Sequence, residues 1–109
     1  MTTKERGDLA EEQAVKYLIK HQFNILEQNY FSKMGEIDII AFKDQNYHFI
    51  EVKSGNSFEP VYNITPGKLR KIIRTAERYL QQKSITLSYS FDAIIISNNN
   101  IEYIENITI

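Results

Sequence analysis

Asp38, Glu51 and Lys53 are the residues whose types and spacing can do chemistry together. Asp38 lies in the run Gly35-Glu36-Ile37-Asp38-Ile39-Ile40-Ala41, and the other two in Phe49-Ile50-Glu51-Val52-Lys53. Between the runs, Asp44-Gln45-Asn46 reads as a turn. With Asp44 and Gln45 as a two-residue loop, Lys43 pairs with Asn46 across it. Asp38 then stands opposite Glu51, Ile40 opposite Phe49, and Phe42 opposite Tyr47. Facing Cβ atoms in such a hairpin are about 5 Å apart, and Glu51 and Lys53 share one face about 6.6 Å apart along the strand. A slip of one residue would put the two acids on different faces. Two facing carboxylates repel each other, so something must compensate. A hard divalent cation, Mg2+ or Mn2+, would do so: it takes one or two protein carboxylates and completes its shell with water and substrate phosphate. Lys53 adds positive charge where a phosphoryl transition state accumulates negative charge. The chemistry this set suits is metal-assisted hydrolysis of a phosphodiester.

The elements that must position these residues can be read from periodicity. Residues 3 to 21 predict a helix, with Thr3 as its cap and Ala10, Ala14, Tyr17, Leu18 and His21 at helical spacing; Leu9, Val15 and Ile19 widen the stripe. Phe23 to Phe31 predicts a strand, broken by polar residues and suited to a sheet edge. Glu36 to Lys43 is the next strand, with Ile37, Ile39 and Ala41 on one face and Asp38, Ile40 and Phe42 on the other; both faces are mostly apolar, as in a central strand. Tyr47 to Lys53 returns, with Tyr47, Phe49, Glu51 and Lys53 sharing a face. Ser54 to Pro66 holds both prolines and no periodicity, and reads as an exposed loop. Thr65-Pro66 opens a second helix that runs to about Gln82, with Leu69, Ile72, Ile73, Ala76 and Leu80 as its buried stripe. Ser90 to Ser97 is a nearly all-apolar strand, Asn98-Asn99-Asn100 a turn, and Ile101 to Ile107 a last strand.

Composition limits what this assembly can be. The chain has 109 residues, 42% hydrophobic and 25% charged, which fits one globular domain over residues 1–109. No cysteine is present, so disulfide frameworks and thiolate metal sites are excluded. The polar N-terminus has no apolar core of a signal peptide, and the longest apolar run, Ala93 to Ile96, cannot span a bilayer. A cytoplasmic protein is expected. The net charge is −1, from 13 basic and 14 acidic residues, without the basic excess usual in nucleic-acid binders. The charge is nonetheless polarised: Lys68, Arg70, Lys71, Arg74, Arg78 and Lys83 fall in one stretch. Lys68, Lys71, Arg74 and Arg78 recur at spacings that line one flank of the second helix, a surface that suits either solvent or a DNA backbone.

The two runs, in this order and with these flanks, resemble the paired motifs of the YraN family. That family is grouped with the PD-(D/E)XK, restriction-endonuclease-like superfamily and is related to Holliday-junction resolvases. The likeness extends over nearly the whole chain: Glu11, Ala14 and Tyr17-Leu18 match its first helix, Lys68, Ala76 and Tyr79-Leu80 its second, and Phe91-Asp92 the strand that follows. The resemblance implies Asp38 and Glu51 as metal ligands, the Val52 carbonyl as a further ligand, and Lys53 as the catalytic lysine. In related resolvases a glutamate of the first helix also reaches the metal, and Glu11 holds that place here. Two arginines usual in the family are absent: Ser54-Gly55 follows the Glu-Val-Lys motif, and Ser90 precedes Phe91-Asp92.

The fold expected is therefore α/β, a restriction-endonuclease-like mixed sheet flanked by helices, in the order α-β-β-β-α-β-β. The function expected is a metal-dependent endonuclease-like protein acting on branched or structured DNA, with a homodimer as the usual form of related resolvases. The absent arginines and the acidic balance favour an alternative, a nucleic-acid-binding or scaffold protein that keeps the fold and hardly cuts. Glu36 reads as a surface charge, and His21 and His48 as structural. Tyr47, Phe49, Phe42 and Phe31 read as core, and Asp92 as a buried or outer-lying support on the face of Ile94 and Ile96.

Overall fold

The computed structural model describes residues 2–55, 64–97 and 100–108. Its first element is helix α1 (Thr3–Lys20). The cap is Thr2, one residue before the Thr3 expected. Thr2 Oγ1 accepts the Glu5 N–H at 3.1 Å, and Glu5 Oε1 accepts the Thr2 N–H at 3.0 Å. Glu5 at the third helical position closes this reciprocal pair, which satisfies two otherwise orphaned donors. α1 buries Ala10, Ala14 and Leu18 against the sheet, two small residues and one large, so the helix lies close along a narrow line. Of the wider stripe, Val15 packs at the margin of the core, whereas Leu9 is 42% and Ile19 57% exposed.

Five strands follow in one sheet: β1 (Asn24–Ser32), β2 (Gly35–Lys43), β3 (Asn46–Ser54), β4 (Ser88–Ser97) and β5 (Asn100–Ile104), with α2 (Pro66–Gln82) between β3 and β4. They lie side by side in chain order. The β3–β4 pair is parallel and the other three pairs are antiparallel. The single parallel pair is the one joined by a helix, since a parallel return needs a crossover. β1 is an edge strand as its polar breaks indicate, and Phe31 on it is 76% exposed, not core as expected. The last strand stops at Ile104, short of Ile107; beyond it the Ile107 N–H donates to the Phe91 carbonyl at 2.7 Å.

The β2–β3 hairpin has the loop read from the sequence. Asp44 and Gln45 both have positive φ, 52° and 65°, the conformation that matches the twist of a two-residue hairpin. Lys43 pairs with Asn46, Phe42 with Tyr47 and Ile40 with Phe49.

α1 and α2 cover opposite faces of this sheet. On the α1 side Ile39, Ala41, Ile50, Ile94 and Ile96 meet Ala10, Ala14 and Leu18. On the α2 side Ile37, Ile40, Phe49 and Phe91 meet Ile72, Ala76, Tyr79 and Leu80. Each fully buried Ile, Leu or Phe contributes about 1.5–3 kcal/mol of transfer free energy, enough for two such layers to hold an unfavourable polar site between them. Ile37 packs with Ile40, not with Ile39 and Ala41 as strict alternation predicts, so the pleat is interrupted around Asp38. α2 starts at Thr65, whose hydroxyl accepts the Lys68 N–H at 3.1 Å. It buries Thr75 and Tyr79 beside Ile72, Ala76 and Leu80, while Leu69 and Ile73 are only half-buried. Most of the loop expected at Ser54 to Pro66, and Asn98-Asn99 of the last turn, lie outside the described residues. Among the described residues no helix is long and apolar enough to cross a membrane.

Candidate metal centre

The centre forms where the β2–β3 ladder ends. Pairing runs from Lys43 with Asn46 to Ile39 with Ile50. The next pair would be Asp38 with Glu51, and there a side chain takes over: Asp38 Oδ2 accepts the Val52 N–H at 2.8 Å. The two acids are neighbours, as the register predicts, but at an opened fork and not as a paired rung. Glu51 is 6% exposed. Its Oε1 accepts from Lys68 Nζ at 3.0 Å, while its Oε2 is buried without a hydrogen-bond partner. An unpartnered buried acceptor costs about 1–3 kcal/mol or more when charged. Burial, and then the charge of Glu51, push the Asp38 carboxyl up to about 7; the Val52 N–H opposes this.

Two lysines converge on the acids. Lys53 follows Glu51 on the same face of β3, and burial together with neighbouring Lys68 pulls its ammonium below the ordinary lysine value. Burial works against the Lys68 charge too, but its contact with Lys53 and the carboxylates of Glu51 and Asp38 outweigh it and hold that ammonium above the ordinary value. Asp38, Glu51, Lys68 and Lys71 line a cavity of about 550 Å³ at the start of α2, with Gly35, Glu36 and Thr65 at its margins. Gly35 lets the chain approach α2: a Cβ there would sit 3.3 Å from Lys71 Cβ. Glu36 is exposed, as expected, yet borders the same cavity.

The other expected site residues are distributed around this centre. Glu11 lines a neighbouring depression with Asp8, Gln28 and Asn29. Burial, then the charges of Asp38 and Glu36, push its carboxyl up, so it senses the centre without lining the cavity. Arg74 and Arg78 are exposed on α2, beyond the cavity lining. Among the described residues no group of three or more metal-ligating side chains converges. A hard cation at Asp38 and Glu51 would draw its remaining ligands from a carbonyl such as that of Val52, from water and from phosphate, which is how Mg2+ is commonly held. The buried, unpartnered Glu51 Oε2 beside Asp38 fits such an ion.

Sequence reasoning assigned Lys68 to the outer flank of the helix and missed its ion pair with Glu51. The available signal was Thr65-Pro66, which fixes the helix start and puts Lys68 in the first turn. It also missed the extent of a second polar cluster on the α1 side of the sheet. Asp92 is fully buried and accepts from His48 Nδ1 at 2.7 Å, Ser90 Oγ at 3.0 Å, the Asn106 N–H at 2.9 Å and the Tyr103 hydroxyl. Burial opposes the Asp92 charge, but these donors outweigh it and hold the carboxyl below its ordinary range. Burial and the bond to Asp92 push the Tyr103 hydroxyl up. Every oxygen here has partners, so the cluster ties β3, β4 and the chain after β5 together.

Residues 10–96 match the family described as Uncharacterised protein family UPF0102. The chain belongs to this family. UPF0102 is the YraN family, and the resemblance read from the two motifs is thereby shown. UPF0102 proteins of Sulfurovum sp. and Helicobacter hepaticus are 52% and 51% identical to the chain, over 94% and 100% of it and 93% and 99% of their own lengths. One from Aliarcobacter butzleri is 49% identical, over 97% of this chain and 98% of its own. The UPF0102 match contains Glu11, Asp38, Glu51, Lys53, Lys68 and Asp92, so the whole centre and the buried Asp92 lie within the matched residues, while Tyr103 and Asn106 lie beyond them.

Proposed function

We propose that this UPF0102 protein is a metal-dependent endonuclease-like hydrolase of phosphodiester bonds, acting on branched or otherwise structured DNA in the cytoplasm. The observation that carries this reading is the fork at Asp38 and Glu51: two carboxylates held together in a half-closed cavity, one oxygen buried and unpartnered, with two lysines beside them. Asp38 and Glu51 would hold Mg2+ or Mn2+, with the Val52 carbonyl completing the protein's share. The ion would supply Lewis-acid charge to a phosphodiester and a more acidic bound water. Lys53 supplies charge at the reacting phosphate and orients the attacking water. Lys71, on the cavity wall, and Arg74 and Arg78, further along α2, supply backbone contacts that carry no sequence information. Glu11 adds negative charge from the neighbouring depression. A chain without cysteine suits a reducing compartment, and a homodimer, usual for related resolvases, is the form to test on junctions with two-fold symmetry.

Cleavage of junction, flap, single-stranded and plasmid DNA with Mg2+ or Mn2+ tests this directly. The wild type is expected to cut at least one of these, and Asp38→Ala to reduce the rate at least about a hundredfold. No cutting by the wild type, or equal cutting by the variant, overturns the reading. Binding without cutting is the second reading, favoured by Ser54-Gly55 and by Ser90, whose hydroxyl is committed to Asp92 and not free for phosphate. Salt-dependent DNA binding with no cleavage under any metal selects it.

A further inference from the structure

We propose that Lys68 is a built-in counter-ion that stands in the cation position of this centre and must leave Glu51 before a divalent metal can settle there. The proposal rests on the metal-centre reading above and adds a residue that controls it. Lys68 Nζ lies 3.0 Å from Glu51 Oε1, and the other oxygen of that carboxylate has no partner. A single ammonium therefore meets one of the two Glu51 oxygens. Lys53 follows Glu51 two residues on along β3, so with Asp38 ionised, as a metal requires, two carboxylates face two ammonium groups and these four charges cancel. Adding a divalent ion to a neutral, largely buried cluster leaves two positive charges in excess, which is costly in a low-dielectric site. Moving Lys68 away relieves one of them and frees Oε1. An incoming phosphodiester relieves the other.

The helix makes this exchange feasible. Lys68 sits in the first turn of α2 with its side chain 40% exposed, so its ammonium can swing without disturbing the apolar layer below. Lys71, one turn on, lines the same cavity without an ion pair of its own among the described residues. The displaced ammonium and Lys71 then face a phosphate from one side while the metal faces it from the other. By linkage, phosphate backbone and metal each tighten the binding of the other.

The test is Mn2+ affinity, measured by calorimetry or electron paramagnetic resonance on the folded protein without DNA. Lys68→Met keeps most of the stem and removes the competing charge. Lys71→Met removes the same charge from the same cavity without touching Glu51, and so reports general electrostatics alone. Lys68→Met is expected to bind Mn2+ roughly tenfold more tightly than wild type, the scale of one charge-assisted hydrogen bond. Lys71→Met is expected within about twofold of wild type, as for a solvated charge, and Lys68→Arg to restore the wild-type value. Circular-dichroism melting checks that each variant is folded. Lys68→Met and Lys71→Met tightening by the same factor, or Lys68→Met binding no better than wild type, overturns the counter-ion role and leaves the metal centre standing. No Mn2+ binding by any of the four proteins overturns both.

Discussion

At Asp38 the proposed competition between a proton and a metal ion can be followed by pH. Burial and Glu51 hold its folded value at about 7, above the ordinary 3.8 of a free aspartate. The folded protein therefore keeps a proton that the unfolded chain has lost. The contribution of this group favours folding at low pH and is lost as pH rises from about 4 to about 7. Asp92 has the opposite sign: its lowered value makes its contribution present at neutral pH and lost in acid. Asp38→Asn isolates the first effect, because the amide oxygen can still accept the Val52 N–H. Without metal, the variant is expected to melt several degrees above wild type at pH 8, with the gap closing toward pH 5; about 1 kcal/mol moves the melting temperature of a domain this size by about 4–8 °C. Mn2+ is expected to raise the wild-type melting temperature more at pH 8 than at pH 5, and to leave the variant unmoved. Differential scanning calorimetry at the two pH values checks both, and a metal shift independent of pH contradicts the competition.

At the scale of the elements, the site depends on how closely the start of β2 approaches α2. Gly35 has φ of 157°, and a Cβ there would meet Lys71 Cβ at 3.3 Å and Thr75 Oγ1 at 3.5 Å. Gly35→Ala is expected to cost about 1–3 kcal/mol, as overpacking does, read as a lower urea midpoint. An unchanged midpoint contradicts the close approach. The hairpin was legible because two adjacent turn residues set the register and the register set the acids. The stripe of α2 was less so. Thr75 is buried because its hydroxyl donates to the Lys71 carbonyl and lies 3.2 Å from Ser32 Oγ, and Tyr79 because its ring meets Tyr30 and Phe49 edge-on. Helical periodicity scores neither, since both depend on partners distant in sequence. The exposure of Leu9, Ile19 and Phe31 is the reverse case: an apolar residue at the right phase still lies outside if the opposing surface ends first.

Across the whole molecule, two apolar layers on either side of a five-stranded sheet clamp a polar centre that no single element could hold. β2 brings Asp38, β3 brings Glu51 and Lys53, and α2 brings Lys68 and closes the cavity. The acids and Lys53 were readable from two motifs and a turn, whereas Lys68 was not, because its pairing depends on how the crossover helix docks. The Asp92 cluster on the far face fixes β3 and β4 together and so supports the strand that carries Glu51. The most direct measurement is the anomalous scattering of a crystal of the wild-type protein soaked in Mn2+ at pH 8. A manganese peak between the Asp38 and Glu51 carboxylates, with Lys68 turned away from Glu51, is the result expected. No peak there, with Lys68 still bonded to Glu51 at saturating Mn2+, would contradict the metal centre.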